Sequence, residues 1–217
     1  MDERLSLHTI ENPAVGARSY LVGDLEAVAA VDPPRAVEPI VELATRLGVR
    51  IMHVVDTHVH EDHLSGGAAL ARALGVPYLV PGGAPVKVAG VEVVGIDDGE
   101  WIEVGTMALV ALATPGHASH HLAFAVHDGT GPEAVLTGGA LSFGTVGRVD
   151  LEEGDLHLAE AARAQLRSAR RLAAVLPGSA AVLPGHVPPS FVLVDSGAAV
   201  AASTLDEEKR RNPVFTA

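Results

Sequence analysis

Residues 57–67 read THVHEDHLSGG, and within them His58, His60, Asp62 and His63 put four metal-ligand types into six positions. His58 and His60 are two apart, so at a strand end they share a face. Asp62 and His63 follow in a turn toward an apolar helix, and the reversal lets all four side chains converge above the strand end. Imidazole and carboxylate suit zinc, iron and manganese. Ligands carried on a turn also leave coordination positions open, as catalysis requires. A lone loop histidine is usually inert and solvated. A cluster directly behind the apolar run IMHVVDT points instead to a metal site, with Glu61 facing solvent.

Two later stretches repeat one device. In ATPGHASHHLAF, His117 follows Pro115-Gly116; in VLPGHVPP, His186 follows Pro184-Gly185. In each, a strand runs into a Pro-Gly turn that delivers one imidazole. His121 opens the next strand and is expected close to the site, whereas His120 reads as an outer or surface group. The chain holds 11 histidines against 4 Phe, 2 Tyr and 1 Trp, and seven of them fall in or beside these three motifs. His8, His53, His127 and His157 read as non-ligands. His53 lies in an apolar strand and is expected to be a hydrogen-bonded core or interface group.

The elements that must position these residues follow from periodicity. Strands are expected at LSLHTI, ARSYLVGD, EAVAAVDP, IMHVVDT, YLV, VEVV, WIEV, MALVALAT, HLAFAV, GPEAVLTG and AAVLPGH. Helices are expected over 33–50, ended by Gly48; over 66–77, ended by Gly75; over 154–178, with Asp155 as N-cap; and in STLDEEKRRNP. Two halves, each a sheet with helices, would stack sheet on sheet with the helices outside. The 217 residues carry 48% hydrophobic and 19% charged side chains, enough for a buried core. The net charge of −12, with no basic stripe, argues against nucleic acid and anionic membranes as partners. There is no cysteine, which excludes disulfides, thiolate ligands and a cysteine nucleophile. The N-terminus lacks an apolar signal segment and no run reaches the ~20 residues of a span, so a cytoplasmic protein is expected.

THVHEDH resembles the HxHxDH motif of the metallo-β-lactamase fold, and TPGH and LPGH resemble that family's later ligand histidines. The resemblance covers nearly the whole chain. It implies one αββα four-layer sandwich over 1–217, an α+β fold with metal at one edge of the sheets. By that match His58, His60 and His117 form one metal subsite and Asp62, His63 and His186 the other, with Asp62 and His63 as candidate catalytic groups. THVHEDHLSGG, TPGHASHHLAF and GTVGRVDL, the last containing Arg148 and Asp150, look most like the persulfide dioxygenases, including the rhodanese-fused type. Glyoxalase II enzymes share the metal motifs.

One departure stands out. Where these families carry TGD, with the acid as a metal ligand, this chain reads LTGGAL and Gly139 takes the aligned position. A bridging carboxylate offsets the repulsion of two dications ~3.5–4 Å apart, so one metal ion, iron or zinc, is expected rather than two. A facial iron triad would lose its only anion; Asp150 could reach in as a substitute, although its turn resembles a supporting position. Three readings follow: a persulfide-dioxygenase-like enzyme oxidising a small thiol-linked metabolite with O2; a zinc-dependent thioester or ester hydrolase, in which Asp62 orients the attacking water; and a degenerate, non-catalytic binding protein. The partner in each is a small thiol or persulfide, and a homodimer is plausible.

Overall fold

The computed structural model describes residues 5–12, 16–59, 65–150, 158–187 and 203–216. β1 (Ser6–Asn12), β2 (Ala17–Gly23) and β3 (Ala27–Val31) pair antiparallel. β4 (Arg50–Val55), β5 (Tyr78–Pro81) and β6 (Val93–Ile96) then add in parallel, completing a six-stranded sheet in sequential order. Parallel neighbours need crossovers. α1 (Glu38–Leu47) and α2 (Gly67–Leu74) supply the first two. Both helices end on left-handed glycines, Gly48 and Gly75, where the missing Cβ removes the steric penalty. The first helix starts at Glu38, later than its sequence suggests. The consecutive Pro33 and Pro34 disfavour helical geometry in the residues before them, and Pro39 sits in the first turn, where its missing N–H costs nothing.

β7 (Trp101–Val104), β8 (Met107–Ala113), β9 (Leu122–His127) and β10 (Pro132–Gly138) form an antiparallel meander. α3 (Leu158–Val175) crosses back to β11 (Ala181–Pro184), which lies parallel to β10 and makes the order β11-β10-β9-β8-β7. The proposed cap of α3, Asp155, lies outside the described residues. α4 (Leu205–Arg211) opens on a capping box made by Thr204 and Glu207, and the short α5 (Pro213–Thr216) follows it.

Alternation along the strands sorts side chains into layers. Ala29 and Val31 of β3 meet Leu122, Phe124 and Val126 of β9 between the sheets. Their neighbours point outward: Val28 and Ala30 pack with Ile40 of α1 and Leu70 of α2, and Ala123 and Ala125 pack with Leu172 of α3 and Leu205 of α4. The result is the αββα sandwich. His53 sits where β4 approaches β7, its Nε2 3.1 Å from the Glu103 carbonyl. Partial burial holds its pKa below the ordinary value, opposed by that carbonyl. Among the described residues no helix is long and apolar enough to cross a membrane.

Candidate metal centre

β3 and β4 run parallel, as do β8, β10 and β11, and the C-terminal ends of all five meet at one edge of the sandwich. β4 delivers His58 immediately after Thr57. β8 leads through Thr114-Pro115-Gly116 to His117, and β11 leads through Gly185 to His186. One ring nitrogen from each of His58, His117 and His186 lies within 4.8 Å of the others. Their ring centroids are 4.8, 5.5 and 5.3 Å apart for the pairs 58–117, 58–186 and 117–186. His58 and His117 are 1% and 6% exposed, so water competes little for their nitrogens. Bonds of ~2.0–2.1 Å place two ligands on one ion at most ~4.2 Å apart. The widest pair would close by roughly 0.6 Å or more. The donor set therefore fits a zinc- or iron-like ion after modest closure.

Hydrogen bonds orient each ring. Asp32 accepts from the Thr57 N–H at 2.7 Å and from the Thr57 hydroxyl at 2.9 Å. Having spent its proton on that carboxylate, the hydroxyl can only accept from His58 Nδ1, 2.8 Å away. His58 is thereby fixed as the Nδ1–H tautomer, which puts the lone pair on Nε2, the nitrogen a metal would use. Asp32 itself has a left-handed backbone, φ 48°, rare for a side chain other than Gly, Asn or Asp. His117 Nδ1 donates to the Arg148 carbonyl at 2.6 Å, which fixes the same tautomer. His121 is stacked on His58, centroids 5.0 Å apart. Its Nδ1 meets the Thr114 hydroxyl at 2.8 Å, and its Nε2 accepts the Gly139 N–H at 2.9 Å. With both nitrogens engaged, His121 holds the β10 turn against the β8 turn.

The β10 turn is built on two glycines with different needs. Gly138 is left-handed, φ 49°, and a Cβ there would meet the His121 Nε2 at 2.7 Å. Gly139 is not left-handed; what it provides is room. A Cβ at Gly139 would clash with the His117 ring, 2.7 Å from Nε2 and closer still to its carbons, and one at Gly147 would lie 2.8 Å from Nδ1 of the same ring. Gln165 of α3 donates to the carbonyls of Gly139 and Ala140 at 3.1 and 2.7 Å and pins the turn.

The other sequence candidates divide. His60, Asp62 and His63 lie outside the described residues. His186 stands with His58 and His117 in one cluster, where the resemblance assigns it to the opposite subsite. Asp150 is paired with Arg148 at 2.8 Å on side chains 50% and 68% exposed, and that guanidinium holds its carboxyl below the usual range. Its carboxylate is thus engaged at the surface, and what this turn contributes to the site is the Arg148 carbonyl. His120 Nδ1 lies 3.2 Å from the Gly82 carbonyl. Sequence reasoning missed Asp32, Thr57, Thr114 and Gln165. None carries a local signal: even the acid before Pro-Pro at the end of β3 does not announce its hydrogen bonds to Thr57, 25 residues away.

No family model matches the chain. It is 30% identical to human persulfide dioxygenase ETHE1 over 91% of this chain and 71% of that protein. It is 32% identical to the hydroxyacylglutathione hydrolase of Methylococcus capsulatus, over 86% of this chain and 77% of that protein. Among solved structures, ETHE1 from Myxococcus xanthus superposes with a TM-score of 0.77 at 25% identity, covering 97% of this chain and 85% of that one.

Proposed function

We propose, for a chain that belongs to the metallo-β-lactamase superfamily beside persulfide dioxygenases and hydroxyacylglutathione hydrolases, a metal-dependent oxidation of a small thiol-linked metabolite, persulfide dioxygenase in type. The observation that carries the reading is a match to a persulfide dioxygenase along nearly the whole chain, joined to a cluster of three histidines, His58 and His117 buried and His186 half-buried. His58, His117 and His186 would hold the ion, iron or zinc. When bound, the ion would supply a Lewis-acidic centre with positions open to substrate. The chain's own contribution is orientation and shelter. Thr57 and the Arg148 carbonyl hold two of the imidazoles with Nε2 presented, and Thr57, fully buried, keeps water from the His58 hydrogen bond. A thiolate or persulfide suits such a centre because the three described ligands are all neutral. The net charge of −12 argues against polyanionic partners.

A second reading, thioester hydrolysis, is favoured by the likeness to the Methylococcus hydrolase. Oxygen uptake with a low-molecular-weight persulfide, measured beside hydrolysis of an acyl-glutathione thioester, tests the proposal. Oxygen consumption that depends on added iron is the expected outcome. Thioester turnover without oxygen uptake would establish the hydrolase, and neither activity in metal-loaded protein would leave a binding protein.

A further inference from the structure

We propose that the outer face of β7 and β8, centred on Trp101, is a docking surface for a second copy of this chain. The proposal is independent of the metal centre and of the oxidation above.

The sandwich is unevenly covered. On the outer face of the second sheet, Ala123 and Ala125 of β9 are 0% and 3% exposed beneath the helices. One strand over, Ala108, Val110 and Leu112 of β8 are only half-buried. Trp101 lies opposite Val110 on the terminal strand β7, and cross-strand partners share a face. It is the only tryptophan in the chain and is 60% exposed. The opposite wall is a flank of α3. Arg171 donates to the Ala113 carbonyl at 2.9 Å and to Asp98 at 2.8 Å, so this flank stands over the end of β8. Val175, one turn further along the same flank, is 55% exposed. Trp101 and Val175 thus border a shallow apolar groove floored by Val110 and Leu112. His127 packs against the indole, ring centroids 5.0 Å apart, which holds the exposed ring in place and lowers the ordering cost of a contact.

Charge selects the occupant. Helical spacing gathers Arg163, Arg167 and Arg170 on the exposed face of α3, a stripe that linear reading of the chain does not show. Across the groove, Glu100 and Glu103 flank Trp101 and are exposed. A nucleic acid or an anionic membrane would meet these acids and a net charge of −12 as well as the arginines. A second copy presents both signs. A two-fold contact must be self-complementary, and one that lays each Trp101 across the other copy's groove also lays Glu100 and Glu103 against the other copy's arginines. Repulsion between two acidic chains is screened beyond ~8 Å at physiological salt, which leaves the local pairs and the aromatic anchor to decide.

The test is sedimentation equilibrium across a concentration series, read beside the emission of Trp101. Wild type should dimerise, and as it does the emission should shift to shorter wavelength and iodide should quench it less. Trp101→Lys should raise the dimer dissociation constant at least ~30-fold, the loss expected of an interface anchor, with circular dichroism unchanged because the ring is mostly exposed. Glu100→Lys/Glu103→Lys and Arg167→Glu/Arg170→Glu should each weaken the dimer, and mixing the two variants should restore it, because each then meets the opposite sign. If Trp101→Lys fails to fold, the mixing experiment still decides. A monomer at every concentration would overturn the proposal, as would a dimer whose Trp101 stays open to iodide, which would place the interface on another face. A monomer with an already protected indole would show the groove covered within the chain, and an emission shift only on adding anionic phospholipid vesicles would show a membrane surface; either would also overturn it.

Discussion

Thr57→Val tests whether the site is oriented by its supporting hydrogen bonds. Thr57 is fully buried, and its hydroxyl joins the Asp32 carboxylate at 2.9 Å to His58 Nδ1 at 2.8 Å. Valine keeps the branched shape and removes both bonds. A bond to a charged acceptor is worth ~1.5–3 kcal/mol and a neutral one ~0.5–1.5 kcal/mol, so the metal-free protein should lose about 2–4 kcal/mol in urea unfolding. Part of the carboxylate's anchorage survives, because the Thr57 N–H still donates to Asp32 at 2.7 Å. The functional effect is separate from the stability effect. Without its Nδ1 partner, His58 loses the bond that selects its tautomer, and metal affinity should fall roughly 10–100-fold. That is ~1.4–2.7 kcal/mol, measured by competition with a chromophoric chelator. Thr57→Ser keeps the hydroxyl and should restore affinity while losing a methyl's worth of packing. Thr57→Val with undiminished metal affinity would refute the orientation argument, whatever its stability.

Glu208 is a buried residue of α4. Burial alone would raise its pKa, but the Ser203 hydroxyl, Arg211, the Gly144 N–H and the Asn212 amide hold it below the ordinary value of 4.5. A lowered carboxyl stabilises the fold above its unfolded pKa, and that contribution disappears as pH falls through the folded value. Glu208→Gln should therefore be less stable than wild type at neutral pH and should converge with it in acid; urea midpoints that fall in parallel would contradict the network's role. Asp150→Asn should leave metal content unchanged, because the Asp150 carboxylate is spent on an exposed pair with Arg148; loss of metal by elemental analysis would return Asp150 to the ligand set. Lactam antibiotics should be poor substrates, and a turnover number in the ordinary range of ~1–10³ per second would refute the assignment to the thiol-metabolite branch.

How far the site was legible depends on what each residue contributes. His117 and His186 stand out because a Pro-Gly turn at a strand end is a local device, and both strands were visible as apolar runs. The layers were legible for the same reason: β3 and β9 alternate between the inter-sheet core and the helix-covered faces, and period two is written in the chain. Asp32 and Thr57 were not legible, because their importance lies in a hydrogen-bonded path to His58 across residues 25 apart in sequence and in a left-handed backbone that an Asp-Pro-Pro string does not announce. Gly139 is the sharper case. Read along the chain, a glycine where the resemblance leads one to expect an acid looks like a deletion of function. A glycine can instead be required for its backbone angle, as at Gly138, or for its emptiness, as at Gly139, and adjacent letters cannot separate these. The separation comes from what lies 2.7 Å away across the turn, a histidine ring supplied from another strand end. A missing ligand is thus a statement about a position in a motif, whereas coordination depends on which side chains can reach one point, and among the described residues a ring nitrogen of His186 lies within 4.8 Å of those of His58 and His117.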